Sequence, residues 1–421
     1  MQRTNVSYTV KYNLCTGCGV CQDVCPASSI TVVLKDGQYQ PRINNRTCLN
    51  ENGCHKCFDI CPGKGIELSA FSEKLHPSSI EKDYYLGRYI AIYSGYSDDY
   101  EIRYHGASGG LVTQFLIYML EKHIIRGAVV TAFDSSSPSL FKPIIATTKE
   151  EILEARSTKY TQVSFSGIIK SLKEMDGKFI VVGLPCHLQA FRQVESLDKQ
   201  LKSKIFAYFG LYCSSGRTTN MTEYVFKDYD IHKENLEYFA YRDEGCLGSL
   251  VAKESGSCSS VKKHNFQSYY QPLRAIFEPK RCLTCIDYFS ELADVSFGDL
   301  HIAPFSNDRI GISSFIVRNN SLLDIIERMR SEGVIIIEPL DKETLLKAQI
   351  SVKLKKHRSV VFMKINRILF CKNPIYDCIL KPSNFLKGGI AYIHTHIQIF
   401  IGKHKKLWGI IKFIRKKEDY N

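Results

Sequence analysis

The central part of the chain alternates between short apolar runs and longer amphipathic stretches. Runs such as KFIVVG at 178–183 and IFAYFGLY at 205–212 are typical of buried strands, whereas 107–126 places apolar residues on one face of a helix. Thr148 and Glu151 match a capping box that opens a short helix. This alternation predicts an open, mostly parallel or mixed sheet covered by helices.

Residues 1–75 break this pattern, because they lack long periodic stretches and hold eight of the chain's 16 cysteines. Cys15, Cys18, Cys21 and Cys25 have the spacing of bacterial ferredoxins, in which three close cysteines bind one [4Fe-4S] cluster and the fourth binds the other. The last three recur 36 residues later, and each set ends in a proline. The segment predicts a small domain in which two clusters replace a hydrophobic core.

The crossed ferredoxin arrangement divides these cysteines into two sets of ligands. Quartet A comprises Cys15, Cys18, Cys21 and Cys61. Quartet B comprises Cys25, Cys48, Cys54 and Cys57. The strict repeat would put a cysteine at Glu51, so Cys48 supplies that ligand and a short loop precedes Cys54. Zinc is the alternative, but its sites use paired CxxC spacings rather than two overlapping sets with prolines.

A third set of cysteines lies at predicted turns of the α/β region. Quartet C comprises Cys186, Cys213, Cys282 and Cys285. Buried free cysteine is common, but a CxxC in a reducing compartment usually binds metal or performs redox chemistry. We therefore weigh a third [4Fe-4S] cluster on quartet C against a packing role. The remaining cysteines have no motif around them and are expected to be structural: Cys246, Cys258, Cys371 and Cys378.

Composition and charge narrow the class of protein. Hydrophobic residues make up 44% and charged residues 24%, a balance that excludes disordered and fibrous classes. No apolar run reaches the roughly 18 residues of a membrane span and no signal core is present, so we expect a cytoplasmic protein. The net charge of +13 resides in 351–421, with 16 basic residues against three acids. The basic character belongs to a C-terminal appendage, and we expect any acidic surface that it meets to be separate from the catalytic machinery. Nucleic acid is disfavoured as a partner because the charges of residues 1–350 are balanced.

The end of the basic segment combines apolar and basic residues. Residues 397–417 hold ten large apolar side chains, and seven Lys or Arg lie between Lys403 and Lys417. A helix from about Lys405 would put Trp408, Ile411 and Ile414 on neighbouring faces, as in a helix at a membrane surface. One alternative is thus peripheral contact with the inner face of a membrane, and the other is a terminal helix packed on the body.

Seven short motifs occur in an order that resembles the beta-subunit family of deazaflavin (coenzyme F-420) hydrogenases and dehydrogenases. They are the ferredoxin motif, SGG at 108–110, STKY at 157–160, GLPC at 183–186, GLYC at 210–213, YRDEG at 241–245 and CLTC…ADVSFGD at 282–299. The resemblance implies FAD in an α/β domain, a cluster beside it and two more in the N-terminal domain. It divides the chain into 1–75 (ferredoxin-like), 84–165 and 166–345 (two parts of the beta-subunit domain) and 346–421 (basic extension).

The expected fold class is therefore α+β and α/β, with a bacterial-ferredoxin-like domain before a larger α/β flavin-binding domain. The resemblance assigns cofactor-binding roles to Ser108, Gly109, Gly110, Thr158, Lys159, Tyr160, Gly183 and Pro185. A helix that starts at the SGG motif would aim free amides at a ligand, Lys159 would meet the pyrophosphate or reduced ring, and Tyr160 would stack. His187 would carry a proton to the flavin. The alternatives are a tight turn for the SGG motif, a solvated cation for Lys159, a core aromatic for Tyr160 and a helix cap for His187.

Two functions follow from these expectations. The first is an iron-sulfur flavoprotein oxidoreductase that acts on a small molecule or a glycan, as in surface-polysaccharide biosynthesis, with ferredoxin or a deazaflavin as redox partner. The second is an electron-transfer subunit that serves a partner enzyme. Clusters carry single electrons and deazaflavins carry pairs, so a flavin between them would convert one into the other.

Overall fold

The computed structural model describes residues 4–77, 81–256, 260–382 and 384–418; the side chains of 260 and 414–418 are outside this description, as is Cys258. The helices are α1 Ser7–Lys11, α2 Lys56–Asp59, α3 Leu68–Leu75, α4 Tyr100–Tyr104, α5 Leu111–Glu121, α6 Lys149–Glu154, α7 Ile168–Glu174, α8 Pro185–Leu197, α9 Lys199–Lys204, α10 Thr219–Asp228, α11 Phe266–Leu273, α12 Leu323–Ser331, α13 Lys342–Ala348, α14 Ser351–Ile368, α15 Phe385–Lys403 and α16 Gly409–Glu418. The strands are β1 Ile30–Lys35, β2 Gln38–Ile43, β3 Gly65–Ile66, β4 Glu81–Asp83, β5 Gly87–Tyr89, β6 Ala91–Ser97, β7 Gly127–Phe133, β8 Phe141–Ala146, β9 Phe179–Gly183, β10 Ile205–Leu211, β11 Leu236–Asp243, β12 Ser249–Glu254, β13 Ser260–Asn265, β14 Val295–Asp299, β15 Ser313–Val317, β16 Ile335–Pro339 and β17 Ile375–Tyr376.

The centre of the molecule is an eight-stranded sheet in the order β16-β6-β15-β14-β10-β9-β7-β8. Strands β14, β10, β9 and β7 are parallel, and the pairings outside this group are antiparallel. The sheet is thus mixed, which is one of the two sheet types that the sequence predicted. The carboxyl ends of the four parallel strands meet at one edge, where open α/β sheets bind ligands.

Both faces of the sheet are buried, which explains the continuous apolar runs of the sequence. Along β9, Ile180 packs under α5 and α12, whereas Phe179 and Val181 pack under α7, α8 and α10. The alternation places neighbouring side chains in two separate cores. A second sheet, β11-β12-β13, is antiparallel and packs with the α8 side.

The N-terminal domain is a β1-β2 hairpin with short helices and the two cysteine motifs. Its motif loop lies against the segment 162–166 of the α/β domain. Gly19 has a φ of +81°, and a Cβ there would lie 2.0 Å from Ser164 Oγ. Phe165 N donates to Cys18 O at 2.8 Å, so the loop is hydrogen-bonded to the larger domain.

Several predicted element bounds shift in the structure. The helix expected over 107–126 begins only at Leu111, because Gly110 adopts a left-handed φ of +70° in front of it. Thr148 and Glu151 form the predicted capping box at α6. The predicted boundary between 345 and 346 falls inside α13.

The basic C-terminal region folds into three helices packed on the body. This region is not a detached appendage, because Lys355 and Lys356 of α14 are buried among residues of the α/β domain. In α16, Ile411 is fully buried, and Trp408 just before it contacts Tyr224 and Phe277. These two side chains follow the packed alternative rather than the membrane helix; Ile414 lies outside the described side chains. Within the described ranges, no helix has the length and apolar character needed to cross a bilayer.

Candidate functional site

The structure brings the four thiols of quartet A around one small cavity. Val6, Thr9 and Ile60 complete its mostly apolar lining. Burial raises the pKa of the Cys18 thiol to about 11, and the neighbouring Cys61 thiolate acts in the same direction. Four converging thiols that are hard to ionise without a cation suit a [4Fe-4S] cluster, whose irons stabilise the thiolates.

Quartet B lines a second cavity together with Pro26, Ile30 and Leu49. Burial raises the pKa of Cys57 to about 11, and the thiolates of the three other members act in the same direction. Ser29 N donates to Cys25 Sγ at 3.3 Å. Cys48, rather than a residue at position 51, faces this cavity, as the sequence interpretation requires.

The zinc alternative gains no support from this geometry. Among the residues that the structure describes, no three His, Cys, Asp or Glu side chains converge as the ligands of a single metal ion. Each quartet lines a single cavity, as the four ligands of one [4Fe-4S] cluster would. The two quartets are neighbours, since the thiolate of Cys57 in quartet B contributes to the raised pKa of Cys21 in quartet A.

The dispersed cysteines of quartet C also converge. Cys186 and Cys213 follow the carboxyl ends of the adjacent strands β9 and β10, and Cys282 and Cys285 belong to a turn packed against α14. Burial raises the pKa of Cys186, and thiolates of Cys213 and of Cys18 raise it further. Quartet C therefore lies beside quartet A. Gly216 N donates to Cys282 Sγ at 3.3 Å, the kind of amide contact that stabilises a thiolate.

A buried ammonium from α14 adjoins quartet C. Lys355 Nζ donates to the carbonyl oxygens of Cys213 and Asp287, both at 2.7 Å, and the residue is 3% exposed. Burial alone would lower the pKa of Lys355, but the thiolates of Cys285 and Cys213 raise it above its usual value. Lys355 thus places a permanent positive charge beside these cysteines. No sequence motif surrounds it, so only the structure reveals this position.

A cavity of about 410 Å³ opens at the carboxyl edge of the parallel strands. Its walls combine most of the motifs that carry the family resemblance. The lining includes Ser108, Gly110, Thr158, Lys159, Tyr160, Gly183, His187, Cys213, Arg217, Arg242 and Asp299. Gly109 and Pro185 are not among the lining residues. Cys213 connects this cavity to quartet C.

The SGG motif differs from its predicted geometry. The helix begins after the motif, and Gly109 N donates to Ser313 Oγ at 2.9 Å instead of facing a ligand. Ser108 Oγ donates to Ile312 O at 2.8 Å. The cavity meets the start of α5 at Leu111 and its neighbours. The motif is thus a turn that places the amino end of an 11-residue helix at the cavity.

Basic side chains outnumber acidic ones among the charged residues of the cavity lining. Lys159 Nζ donates to the carbonyl oxygens of Ala155, Arg156 and Ser157, the last two at 2.6 and 2.9 Å, and burial lowers its pKa to about 7. Arg217 Nη2 donates to Tyr270 Oη at 2.8 Å. Within the described part of the chain, neither Lys159 nor Arg217 forms a salt bridge. Arg156 adds a further cation, so the cavity suits an anionic ligand.

Arg242 and Asp299 form an ion pair on the cavity wall. Arg242 Nη1 donates to Asp299 Oδ2 at 2.6 Å, and its Nε donates to Leu247 O at 2.7 Å. Its guanidinium lies 4.8 Å from the Phe266 ring centroid. This network fixes the second sheet to the end of β14. Arg242 and Arg217 were missed as site residues, although both stand within or next to motifs.

Tyr160 and His187 make contacts that match their structural alternatives. The Tyr160 ring lies 4.2 Å from that of Tyr270, within an aromatic cluster. His187 Nδ1 accepts from Leu184 N at 3.3 Å, which caps α8, and its ring lies 4.3 Å from Phe165. Burial lowers the pKa of His187 to about 4, so the ring is neutral near pH 7. A proton-carrying role for His187 stays a prediction.

Three family models match the chain. A 4Fe-4S dicluster domain matches residues 7–67. The model for the N-terminal part of the coenzyme F420 hydrogenase/dehydrogenase beta subunit matches 92–170, and the model for its C-terminal part matches 176–343. These spans agree with the N-terminal clusters and with the cavity domain.

Similar proteins include several that are named for coenzyme F420. The coenzyme F420 hydrogenase subunit beta of Methanosarcina barkeri is 29% identical over 293 residues, covering 66% of this chain and 94% of its own. The coenzyme F420-dependent sulfite reductase of Methanocaldococcus jannaschii is 25% identical over 362 residues, covering 82% of this chain and 51% of its own. A chain of the xenon-derivatised F420-reducing [NiFe] hydrogenase complex from M. barkeri shares the fold, with a TM-score of 0.54, 24% identity and coverage of 70% of this chain and 98% of that chain.

The fold and the site define an iron-sulfur redox protein with a ligand cavity at the edge of a mixed α/β sheet. More specifically, the chain belongs to the coenzyme F420 hydrogenase/dehydrogenase beta-subunit family, which confirms the resemblance seen in the sequence. This is a family of iron-sulfur electron-transfer subunits. A redox role and a ferredoxin-like 4Fe-4S domain are therefore established for this chain.

Proposed function

We propose that this chain is an electron-transfer subunit that connects a redox ring cofactor in the cavity to clusters on quartets C, A and B. The position of quartet C carries this proposal. Cys213 lines the cavity, and Cys186 lies close enough to Cys18 of quartet A for the Cys18 thiolate to raise its pKa. A cluster on quartet C would then lie between the cavity and quartet A, so electrons could pass in short steps.

FAD is the cofactor that we propose for the cavity. The cavity volume of about 410 Å³ lies in the usual range for ligand pockets. Arg217, whose buried Nε has no hydrogen-bond partner in the described part of the chain, would hold the pyrophosphate, and Lys159 and the amino end of α5 would add favourable electrostatics. Tyr160 would lie beside the ring system. When bound, a flavin supplies the exchange between electron pairs and single electrons.

The protein's own residues would orient this cofactor and keep water from it. The pair of Arg242 and Asp299 holds the second sheet over the edge of β14, so this wall is rigid. Lys159 donates to three backbone carbonyls rather than to a carboxylate, so in its protonated form it would act on an anion through its charge and not through a hydrogen bond. The neutral His187 fixes the turn at Leu184 that precedes Cys186.

We propose coenzyme F420 as the hydride carrier and another protein as the second redox partner. The names of the relatives support this choice, because one is a subunit of an F420 hydrogenase and another is an F420-dependent sulfite reductase. The latter protein is about twice as long as its match to this chain, so its matched part is joined to further sequence. These relatives favour a subunit that serves a partner enzyme over an oxidoreductase acting alone, and they do not support a glycan substrate.

Anaerobic reconstitution with iron, sulfide and FAD tests the proposal. We expect one FAD per chain, and we expect reduced F420 to bleach the clusters only when FAD is present. Arg217→Met should weaken FAD binding by about tenfold or more, because it removes a charge-assisted contact. Lys159→Met should weaken FAD binding less, because its ammonium already donates to three backbone carbonyls. The exposed Lys178→Met is the control. No flavin binding, or equal cluster reduction without FAD, would contradict the proposal.

A further inference from the structure

Helix α15 carries a stripe of exposed apolar side chains. The stripe comprises Leu386, Ile390, Ile393, Ile397 and Phe400, each more than half exposed. Their spacing alternates between four and three residues, which places them on one face of the helix. At 1.5 Å per residue the α15 stripe is about 21 Å long. A contiguous apolar ridge of this length on a surface marks an interaction site.

The opposite face of α15 is held firmly to the body. Gly388 packs on Val361 of α14, and a Cβ at Gly402 would lie 2.1 Å from the Ile276 carbonyl oxygen. Tyr392 Oη donates to Asn366 Oδ1 at 2.8 Å. The α15 stripe is thus exposed on a docked helix, and the exposure is not the result of a detached end.

Uncompensated positive charge accompanies the stripe. Six exposed Lys or Arg residues between 351 and 413 make no salt bridge within the described ranges: Lys364, Arg367, Lys372, Lys381, Lys387 and Lys406. Asp377 is the single acid between residues 351 and 417. Its carboxylate oxygens accept from Ser69 N and Ala70 N, both at 2.9 Å, so it is already engaged at the start of α3. The C-terminal helices therefore expose apolar and cationic groups with few anions.

We propose that the α15 stripe and these cations of the C-terminal region dock the protein on an anionic lipid surface. Exposed apolar side chains together with Lys and Arg are the composition of helices that lie in a membrane interface. A lipid surface accepts a straight, convex ridge without a complementary groove. A second copy of the chain would bring the same cations together, which like-charge repulsion opposes. The sequence pattern had placed this chemistry on the terminal helix, whose Trp408 and Ile411 are buried instead.

Vesicle flotation of the cluster-loaded full chain tests the proposal. We expect the protein to float with phosphatidylglycerol-containing vesicles, to float much less with pure phosphatidylcholine, and to lose binding as salt is raised. Ile393→Gln combined with Ile397→Gln should lower binding at least about tenfold. The matched control is Leu197→Gln combined with Val261→Gln, which removes exposed apolar side chains elsewhere and should bind like the wild type.

The possible results distinguish a lipid surface from a second copy of the chain as the partner of the α15 stripe. Equal flotation of the Ile393/Ile397 variant and the wild type, or no flotation with either vesicle, would overturn the proposal. A wild-type dimer that this variant converts to a monomer, without vesicle binding, would assign the stripe to contact between copies. None of these results depends on flavin or F420, so the proposed redox function is tested separately.

Discussion

Lys355 offers a direct test of how the C-terminal helices act on the redox centre. Replacing it with methionine removes one buried positive charge while keeping a side chain of similar length. Because a nearby cation stabilises the more negative, reduced form of a cluster, we expect Lys355→Met to lower the reduction potential of the cluster on quartet C. Clusters on quartets A and B, farther from Lys355, should shift less.

The size of the shift follows from the contacts of the ammonium. Nζ lies 2.7 Å from Cys213 O, and the covalent path within that residue puts its sulfur at roughly 6 Å from the charge. At an effective dielectric constant of about 20, two unit charges at this distance interact by roughly 2.8 kcal/mol. With about 1.36 kcal/mol and about 59 mV for each tenfold change in a one-electron couple, the potential should fall by roughly 120 mV.

Electron paramagnetic resonance during a redox titration measures this potential. Lys364→Met on the same helix removes an exposed charge and should leave it unchanged. The Lys355 variant also leaves the carbonyls of Cys213 and Asp287 without their donor, so iron content must be compared to exclude loss of the cluster. A potential equal to the wild type at equal iron content would show that the buried charge does not act on the cluster.

Three more outcomes are expected from the packing. In an iron assay the reconstituted chain should hold about twelve irons, Cys282→Ser should hold about eight, and the control Cys378→Ser should match the wild type. About eight irons in the wild type would show that the third cluster is absent. Trp408→Ala should lower the free energy of unfolding by about 3–5 kcal/mol in a denaturant titration, whereas Phe413→Ala, at an exposed position, should not. Equal unfolding midpoints for Trp408→Ala and the wild type would contradict the packing of Trp408 on the body. Asp23→Ala removes acceptors for two amides of 167–169, at 2.7 and 2.9 Å, and should increase proteolytic cleavage between the domains; an unchanged digest would show that other contacts suffice.

Features that depend on neighbours along the chain could be predicted from the sequence. The spacing of the cysteines indicated quartets A and B, because a cubane cluster takes three of its ligands from one short loop. The continuous apolar run of β9 indicated a strand buried on both faces, and Thr148 with Glu151 indicated the start of α6. Short-range geometry dictates each of these.

What distant segments do together depends on how the chain packs in three dimensions. Quartet C draws on residues almost 100 positions apart, and whether they converge depends on the order of β9, β10 and β14 in the sheet, which no local pattern encodes. The burial of Lys355 also depends on tertiary packing. In the sequence it resembles any other solvated lysine of a basic segment, and it is buried because α14 packs on the turn of Cys282 and Cys285. Amphipathicity predicted an apolar face near the C-terminus, but close packing determines which apolar side chains are buried. Gly388 and Gly402 let one side of α15 pack on the body, so the α15 stripe on its other side stays exposed. Trp408 instead packs beside Tyr224 and Phe277.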